Sequence, residues 1–243
     1  MLNDLNIKLF ADGADLRDIV ALASKPWIRG FTTNPTLMRK AGVVDYRDFA
    51  RELVGVVGDR PVSLEVFADD AIDMERQAHE IASWASNIYV KIPITNSRGE
   101  PTSDLISRLS TKGVKVNVTA VFTLAQVSKA VTSIAPKTPG IISVFAGRIA
   151  DTGRDPVPLM REAKAIMANR RGIELLWASP REILNVVQAA EIGCDIITAS
   201  SDIISKLPLL GKDLTAFSLE TVRMFHRDAA AAGYKIAEFA AVV

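Results

Sequence analysis

The sequence predicts a single-domain (β/α)8 TIM barrel with a C-terminal helical extension, and three observations carry that expectation. The chain's 243 residues, 49% of them apolar, suffice for one large core and do not demand two. Eight short runs rich in β-branched and apolar residues recur along it, and longer stretches with helical spacing separate them. A doubly wound sheet uses the same alternation, but eight strands in a chain of this length match the barrel's rhythm. No Pro/Gly/Ser linker, low-complexity tract or shift of composition divides residues 1–243.

In order, the runs are "IKLFAD" (7–12), "GFTTN" (30–34), "VSLEVF" (62–67), "NIYVKIP" (87–93), "VKVNVTAVF" (114–122), "IISVFAG" (141–147), "IELLWAS" (173–179) and "DIITAS" (195–200). Pro93 has no N–H for the ladder and helps to end the fourth. Between runs five and six, Leu124, Val127, Val131 and Ile134 repeat at about 3.6 residues and line one helix face. Asp69 and Asp70 precede "AIDMERQAHEIASWA", where acids suit a cap and first turn. After the eighth run, Asp213 to about Ala232 reads as an amphipathic helix ended by Gly233, followed by the apolar tail "IAEFAAVV". Residues 213–243 are thus expected to close the barrel or to pack on a neighbouring subunit.

Composition excludes several function classes. Lys plus Arg number 29 against 28 Asp plus Glu, which leaves no net field to attract nucleic acid or an anionic membrane surface. The longest uncharged stretch, Val116 to Ser128, contains Asn, Thr and Gln and is shorter than the roughly 18 apolar residues of a membrane helix. Cys194 has no second cysteine to pair with, and no basic-then-apolar leader opens the chain, so a cytoplasmic location is expected. His79 and His226 lie in charged helical segments at a spacing that rules out a His-x-x-x-His metal pair. Asp69, Asp70, Asp73 and Glu75 read as caps and a solvated helix face rather than a magnesium site. Glycine-rich nucleotide-phosphate motifs are absent. These residues call for no metal and no organic cofactor.

What remains is a set of polar residues at the C-terminal ends of the runs, where barrel enzymes carry their sites. Asp12 ends the first run, Thr32, Thr33 and Asn34 the second, with Glu65 in the third and Lys91 in the fourth. Asn117 and Thr119, two residues apart in the fifth, point to the same side of a strand. Ser143 and Arg148 follow on the sixth, Ser179 and Arg181 on the seventh. Singly, most have an ordinary reading: Lys91 as a snorkelling surface residue, Asp12 and Ser179 as helix caps, Asn34 as a turn element before Pro35. Glu65 resists one, because an unpaired carboxylate inside a barrel is costly. A lysine, two carboxylates, hydroxyls, amides and two arginines at one mouth suit carbonyl chemistry on a phosphorylated, hydroxyl-rich substrate.

Taken in order, "TTNPTL", "EV", "KIP", "VNVTAVFT", "SVFAGRIAD" and "WASPR" resemble the transaldolase family from Asp12 to about Thr198. The short chain resembles the compact branch, which includes the fructose-6-phosphate aldolases. That resemblance implies that Lys91 is a Schiff-base lysine, with Asp12, Glu65, Asn34 and Thr119 matching acid–base and orienting groups. It implies substrate-binding roles for Thr32, Asn117, Ser143 and Phe145, and a phosphate-binding set of Arg148, Ser179 and Arg181. The aldolases typically carry glutamine at the position of Glu65 and tyrosine at that of Phe145, so both residues read as transaldolase. "ADGAD" (11–15) and Val144 depart from the family's usual residues around the donor pocket.

The implied reaction is transfer of a dihydroxyacetone unit from a ketose phosphate, fructose 6-phosphate or sedoheptulose 7-phosphate, to an aldose phosphate. The alternative is a lyase that releases free dihydroxyacetone. The implied partners are sugar phosphates and further copies of the chain in a ring-based homo-oligomer, often of ten subunits. Because only a neutral amine attacks a carbonyl, and a carboxylate in direct contact favours the charged form, neither Asp12 nor Glu65 is expected to form a close, unscreened ion pair with Lys91.

Overall fold

Eight parallel strands, each bonded to its neighbours in chain order, close into a barrel in the computed structural model, which describes residues 5–236. The elements run β1 (Lys8–Asp12), α1 (Leu16–Ala23), β2 (Ile28–Thr32), α2 (Pro35–Lys40), α3 (Tyr46–Val57), β3 (Val62–Glu65), α4 (Ala71–Trp84) and β4 (Ile88–Pro93). They continue with α5 (Ser103–Thr111), β5 (Val116–Val121), α6 (Leu124–Ser133), β6 (Gly140–Val144), α7 (Ala146–Ala150), α8 (Pro156–Met167) and β7 (Ile173–Trp177). Last come α9 (Leu184–Glu191), β8 (Ile196–Ala199), α10 (Ser201–Ile204) and α11 (Leu214–Ala232).

Every predicted run contains a strand, and the boundaries move where side chains compete for the backbone. β2 stops at Thr32, so Thr33 and Asn34 enter the following loop, where Asn34 Oδ1 accepts from Leu37 N (2.9 Å) and caps α2. α4 is capped by Asp70 alone, whose Oδ1 accepts from Ile72 N and Asp73 N at 3.0 Å. Asp69 instead holds the loop after β4, accepting from Ser97 N (2.7 Å) and Ser97 Oγ (2.6 Å). β4 ends at Pro93 as expected, although Ile94 N still donates to Thr119 O (3.0 Å). On α6, Val127 and Val131 are buried as the spacing predicts.

Two apolar layers result from the alternation of side chains along each strand. Outward residues such as Leu64, Val90, Ile92, Val116 and Val118 join helix residues such as Leu53, Leu105 and Val127 in the outer core. Inward residues nearer the strand N-termini, Phe10, Ile141, Leu176 and Ile196, form a smaller core inside the barrel, against which Tyr89 packs. Two residues further along the same inward phase stand Asp12, Ser143 and Thr198, with Lys91 two beyond Tyr89. The barrel is therefore plugged at its N-terminal end and polar at its C-terminal end.

Phe10 fills the plug because β2 has no side chain at Gly30: a Cβ there would lie 2.5 Å from the Phe10 ring. Gly30→Ala should therefore overpack a buried site and cost about 1–3 kcal/mol. A urea denaturation midpoint equal to that of the parent chain would contradict this packing.

Asp213 caps α11 through Ala216 N (2.8 Å) and Gly233, at φ 67°, closes it in the left-handed conformation. α11 has no buried residue, and Leu214, Phe217, Leu219, Val222 and Phe225 are all exposed. Most of the tail "IAEFAAVV" lies outside the described residues. Among the described residues, no helix is long and apolar enough to cross a membrane.

Candidate active site

A cavity of ≈ 470 Å³ opens at the C-terminal ends of the strands. Asp12, Thr32, Asn34, Glu65, Lys91, Asn117, Thr119, Ser143, Phe145, Arg148 and Ser179 all line it; of the residues expected at the site, Thr33 and Arg181 do not.

Lys91 and Glu65 face each other as direct partners in the register of β3 and β4. Both side chains are buried, and Lys91 Nζ donates to Thr33 O (2.5 Å) while lying 3.6 Å from Glu65 Oε2. Against the expectation that neither acid forms a close, unscreened ion pair with the lysine, Glu65 stands beside it, because adjacent strands with both residues turned inward bring the two together. The separation exceeds ordinary hydrogen-bond length. Glu65 is further modulated by its surroundings, because burial pushes its carboxyl above the usual range, opposed by the charge of Lys91 and a bond from Thr33. A carboxyl pushed toward its neutral form weakens the pair. Thr33 Oγ1 lies 3.1 Å from both Glu65 Oε2 and Ser63 O, with a single proton to donate. Glu65 Oε1 is buried with no hydrogen-bond partner among the described residues.

Asp12 does not cap α1; Asp15 does, accepting from Arg17 N at 2.9 Å. Its carboxyl instead receives a bond from Thr32 Oγ1 (2.7 Å), with Asn34 Nδ2 at 3.5 Å from the other oxygen. Burial raises the Asp12 pKa, against the opposing effects of Lys91 and Thr32. Asn34 unites its two readings, since committing Oδ1 to the α2 cap turns its amide group toward Asp12.

On the opposite wall, Asn117 Nδ2 donates to Ser63 Oγ (2.9 Å) and Ser143 Oγ donates to Asn117 Oδ1 (2.7 Å). This chain of bonds ties β3, β5 and β6 together across the barrel. Just beyond, the pairing of β5 and β6 slips between Val118 and Val121, where Ala120 takes φ 57°. Strain of this kind in a bulge beside a cavity sets the direction of the adjacent side chain, here Thr119.

The third wall joins α7, which follows β6, to the loop after β7. Gly147 N donates to Ala178 O (3.2 Å), and a Cβ on Gly147 would stand 1.5 Å from Ser179 O, so only glycine permits this approach. Ser179, at φ 57°, caps no helix; it lines the cavity with Arg148, whose guanidinium lies 5.3 Å from the Phe145 ring centroid. Arg181 is turned outward and held by both oxygens of Asp151, its Nε at 2.8 Å from Oδ1. The same guanidinium holds the Asp151 carboxyl below its usual range.

His79 is half-buried on α4, and the acidic run lies away from the cavity: Glu75 accepts from Arg108 Nε (2.9 Å) and Lys112 Nζ (3.0 Å). Among the described residues, no cluster of three or more His, Cys, Asp or Glu is arranged to hold a metal ion. Two participants were absent from the expected set, Ser63 and Thr198. Period-two counting through "VSLE" and "DIIT" puts both on the inward phase, and that was the available signal.

Fold and site together define a (β/α)8-barrel enzyme whose polar cavity sits at the strand C-termini and encloses a buried lysine, a buried glutamate and a half-buried aspartate. The chain belongs to the transaldolase/fructose-6-phosphate aldolase family, whose model matches residues 9–241. It is 32% identical over 216 residues to a probable transaldolase of Dehalococcoides mccartyi, covering 87% of this chain and 96% of that one. It is 35% identical over 218 residues to a probable transaldolase of Maridesulfovibrio salexigens, covering 88% and 97%. Among solved structures, a mandelate oxidase (TM-score 0.56, 14% identity, 82% of this chain and 70% of that one) shares the fold. So does 2,3-dimethylmalate lyase (TM-score 0.55, 14% identity, 96% and 86%).

Proposed function

We propose that the protein is a Schiff-base transaldolase that moves a dihydroxyacetone unit between sugar phosphates. The observation that carries this reading is Lys91 Nζ, buried in the cavity 3.6 Å from the carboxyl of Glu65. The neutral Lys91 amine attacks the C2 carbonyl of a ketose phosphate, and loss of water leaves an iminium. That iminium takes the electron pair of the C3–C4 bond as Asp12 takes the proton from the C4 hydroxyl. The aldehyde departs, the bound enamine adds to a second aldehyde phosphate, and hydrolysis releases the new ketose.

Glu65, working through a water molecule held by Thr119, carries protons during Schiff-base formation and hydrolysis. Its uncommitted Oε1 supports this assignment. Thr32, Asn34, Asn117 and Ser143 orient the donor hydroxyls so that the breaking bond aligns with the iminium π system. Arg148 and Ser179 hold the phosphate, and Arg181 joins them by exchanging the Asp151 carboxylate for the phosphate.

The competing reading is a lyase that releases dihydroxyacetone without an acceptor. Glu65 and Phe145 favour transfer. Incubation with fructose 6-phosphate, with and without erythrose 4-phosphate, separates the two: product is expected only with the acceptor, and acceptor-independent release of triose would sink the transferase assignment.

The exposed apolar residues of α11 support assembly into a homo-oligomer through that helix. Light scattering is expected to give a multiple of the 26.3 kDa chain mass. Val222→Lys with Phe225→Lys should lower that mass; an unchanged mass would place the contact elsewhere.

A further inference from the structure

The hydroxyl of Thr198 lies 2.6 Å from that of Thr32, which in turn lies 2.7 Å from Asp12 Oδ1. Thr198 belongs to β8 and Thr32 to β2, the two strands that flank β1 in the barrel. Their bond therefore crosses the inner face of the strand that carries Asp12. Both threonines are buried, and both line the cavity. Thr198 Oγ1 has no other hydrogen-bond partner among the described residues.

A hydroxyl has one proton to donate. When Asp12 is ionised it can only accept, so the Thr32 proton must point at Oδ1. The bond between the threonines then has one allowed direction, from Thr198 to Thr32. Successive donors polarise each other, so the outer bond strengthens the inner one. Without the Thr198 hydroxyl, Thr32 becomes a weaker donor that is also free to rotate. Asp12 then loses support for its charged form, with the charge of Lys91 and the 3.5 Å approach of Asn34 remaining.

We propose that Thr198 is a positioning residue for Asp12, donating its proton to Thr32 so that Thr32 donates to Asp12 and the carboxylate stands ready to accept the C4 hydroxyl proton. The proposal rests on the reading of Asp12 as that base. The titratable groups that face Asp12 are Lys91 from β4 and Glu65 from β3, whereas its neighbours Thr32 and Thr198 on β2 and β8 carry no charge. Burial already pushes the Asp12 carboxyl up, and the Thr32 bond is one of two effects that hold it down. Weakening that bond moves the carboxyl further up, so the acidic limb of kcat/KM moves to higher pH.

The test is the pH profile of kcat/KM for transfer from fructose 6-phosphate to erythrose 4-phosphate. Thr198→Val keeps the shape and removes the hydroxyl. It is expected to shift the acidic limb up by about half a pH unit and to lower kcat/KM near neutrality by roughly threefold to tenfold. Thr198→Ser is expected to restore both. An unmoved limb in Thr198→Val, or a serine variant that behaves like the valine one, overturns the proposal and leaves the bond a stitch between strands. If the valine variant does not fold, Thr198→Ala is read in the same way. Borohydride trapping of the parent enzyme with dihydroxyacetone keeps the two failures apart. An absent Lys91 adduct defeats the Schiff-base reading itself, and an adduct with an unmoved limb defeats only the role of Thr198.

Discussion

Lys91→Met is expected to lower transfer from fructose 6-phosphate by about four orders of magnitude or more, as loss of a covalent nucleophile does. Methionine fills a similar volume with a flexible apolar chain, and it replaces a charge that burial makes costly. The variant should therefore fold, with a thermal midpoint no lower than that of the parent chain. Activity within tenfold of the parent would show that Lys91 is not the nucleophile, whatever its place in the cavity.

Glu65→Gln has the second-largest expected effect, a fall in kcat/KM of about 10²–10³ from loss of the proton carrier. Its effect on stability should have the opposite sign. Burial pushes the folded-state pKa of Glu65 above its ordinary value, so the native chain holds this proton more tightly than the unfolded chain does. The parent therefore loses stability as pH rises above the ordinary glutamate range. Glutamine has no ionised form to bury, so the variant should melt above the parent at pH 7.5, with the gap closing toward pH 4. A variant that melts lower at pH 7.5 would mean that Glu65 is ionised and stabilised by Lys91, which would reverse the account of their 3.6 Å contact.

The barrel was legible because its strands repeat one pattern eight times, and so was the inward phase of most site residues. Asn117 and Thr119 line the cavity together, as their spacing requires. Contacts set by register and stagger between distant strands were not legible. Nothing local to Lys91 says that Glu65 is its direct partner across β3 and β4, which sets the two side chains 3.6 Å apart where no close, unscreened ion pair was expected. Nor does the pattern near Arg181 reveal that Asp151, from the preceding loop, turns it away from the cavity. Thr198 was passed over because its partner Thr32 is remote in sequence and meets it only after the barrel closes. Capping was readable by residue type but not by position: Asp15 and Asp70 cap their helices, which leaves Asp12 and Asp69 to other partners.

The central claim is that Lys91 forms a Schiff base with the ketose. Borohydride reduction in the presence of fructose 6-phosphate or dihydroxyacetone, followed by peptide mass mapping, tests it most directly. The account predicts a reduced three-carbon adduct on the peptide that carries Lys91, absent from Lys91→Met. An adduct on any other lysine, or none at all, would contradict it.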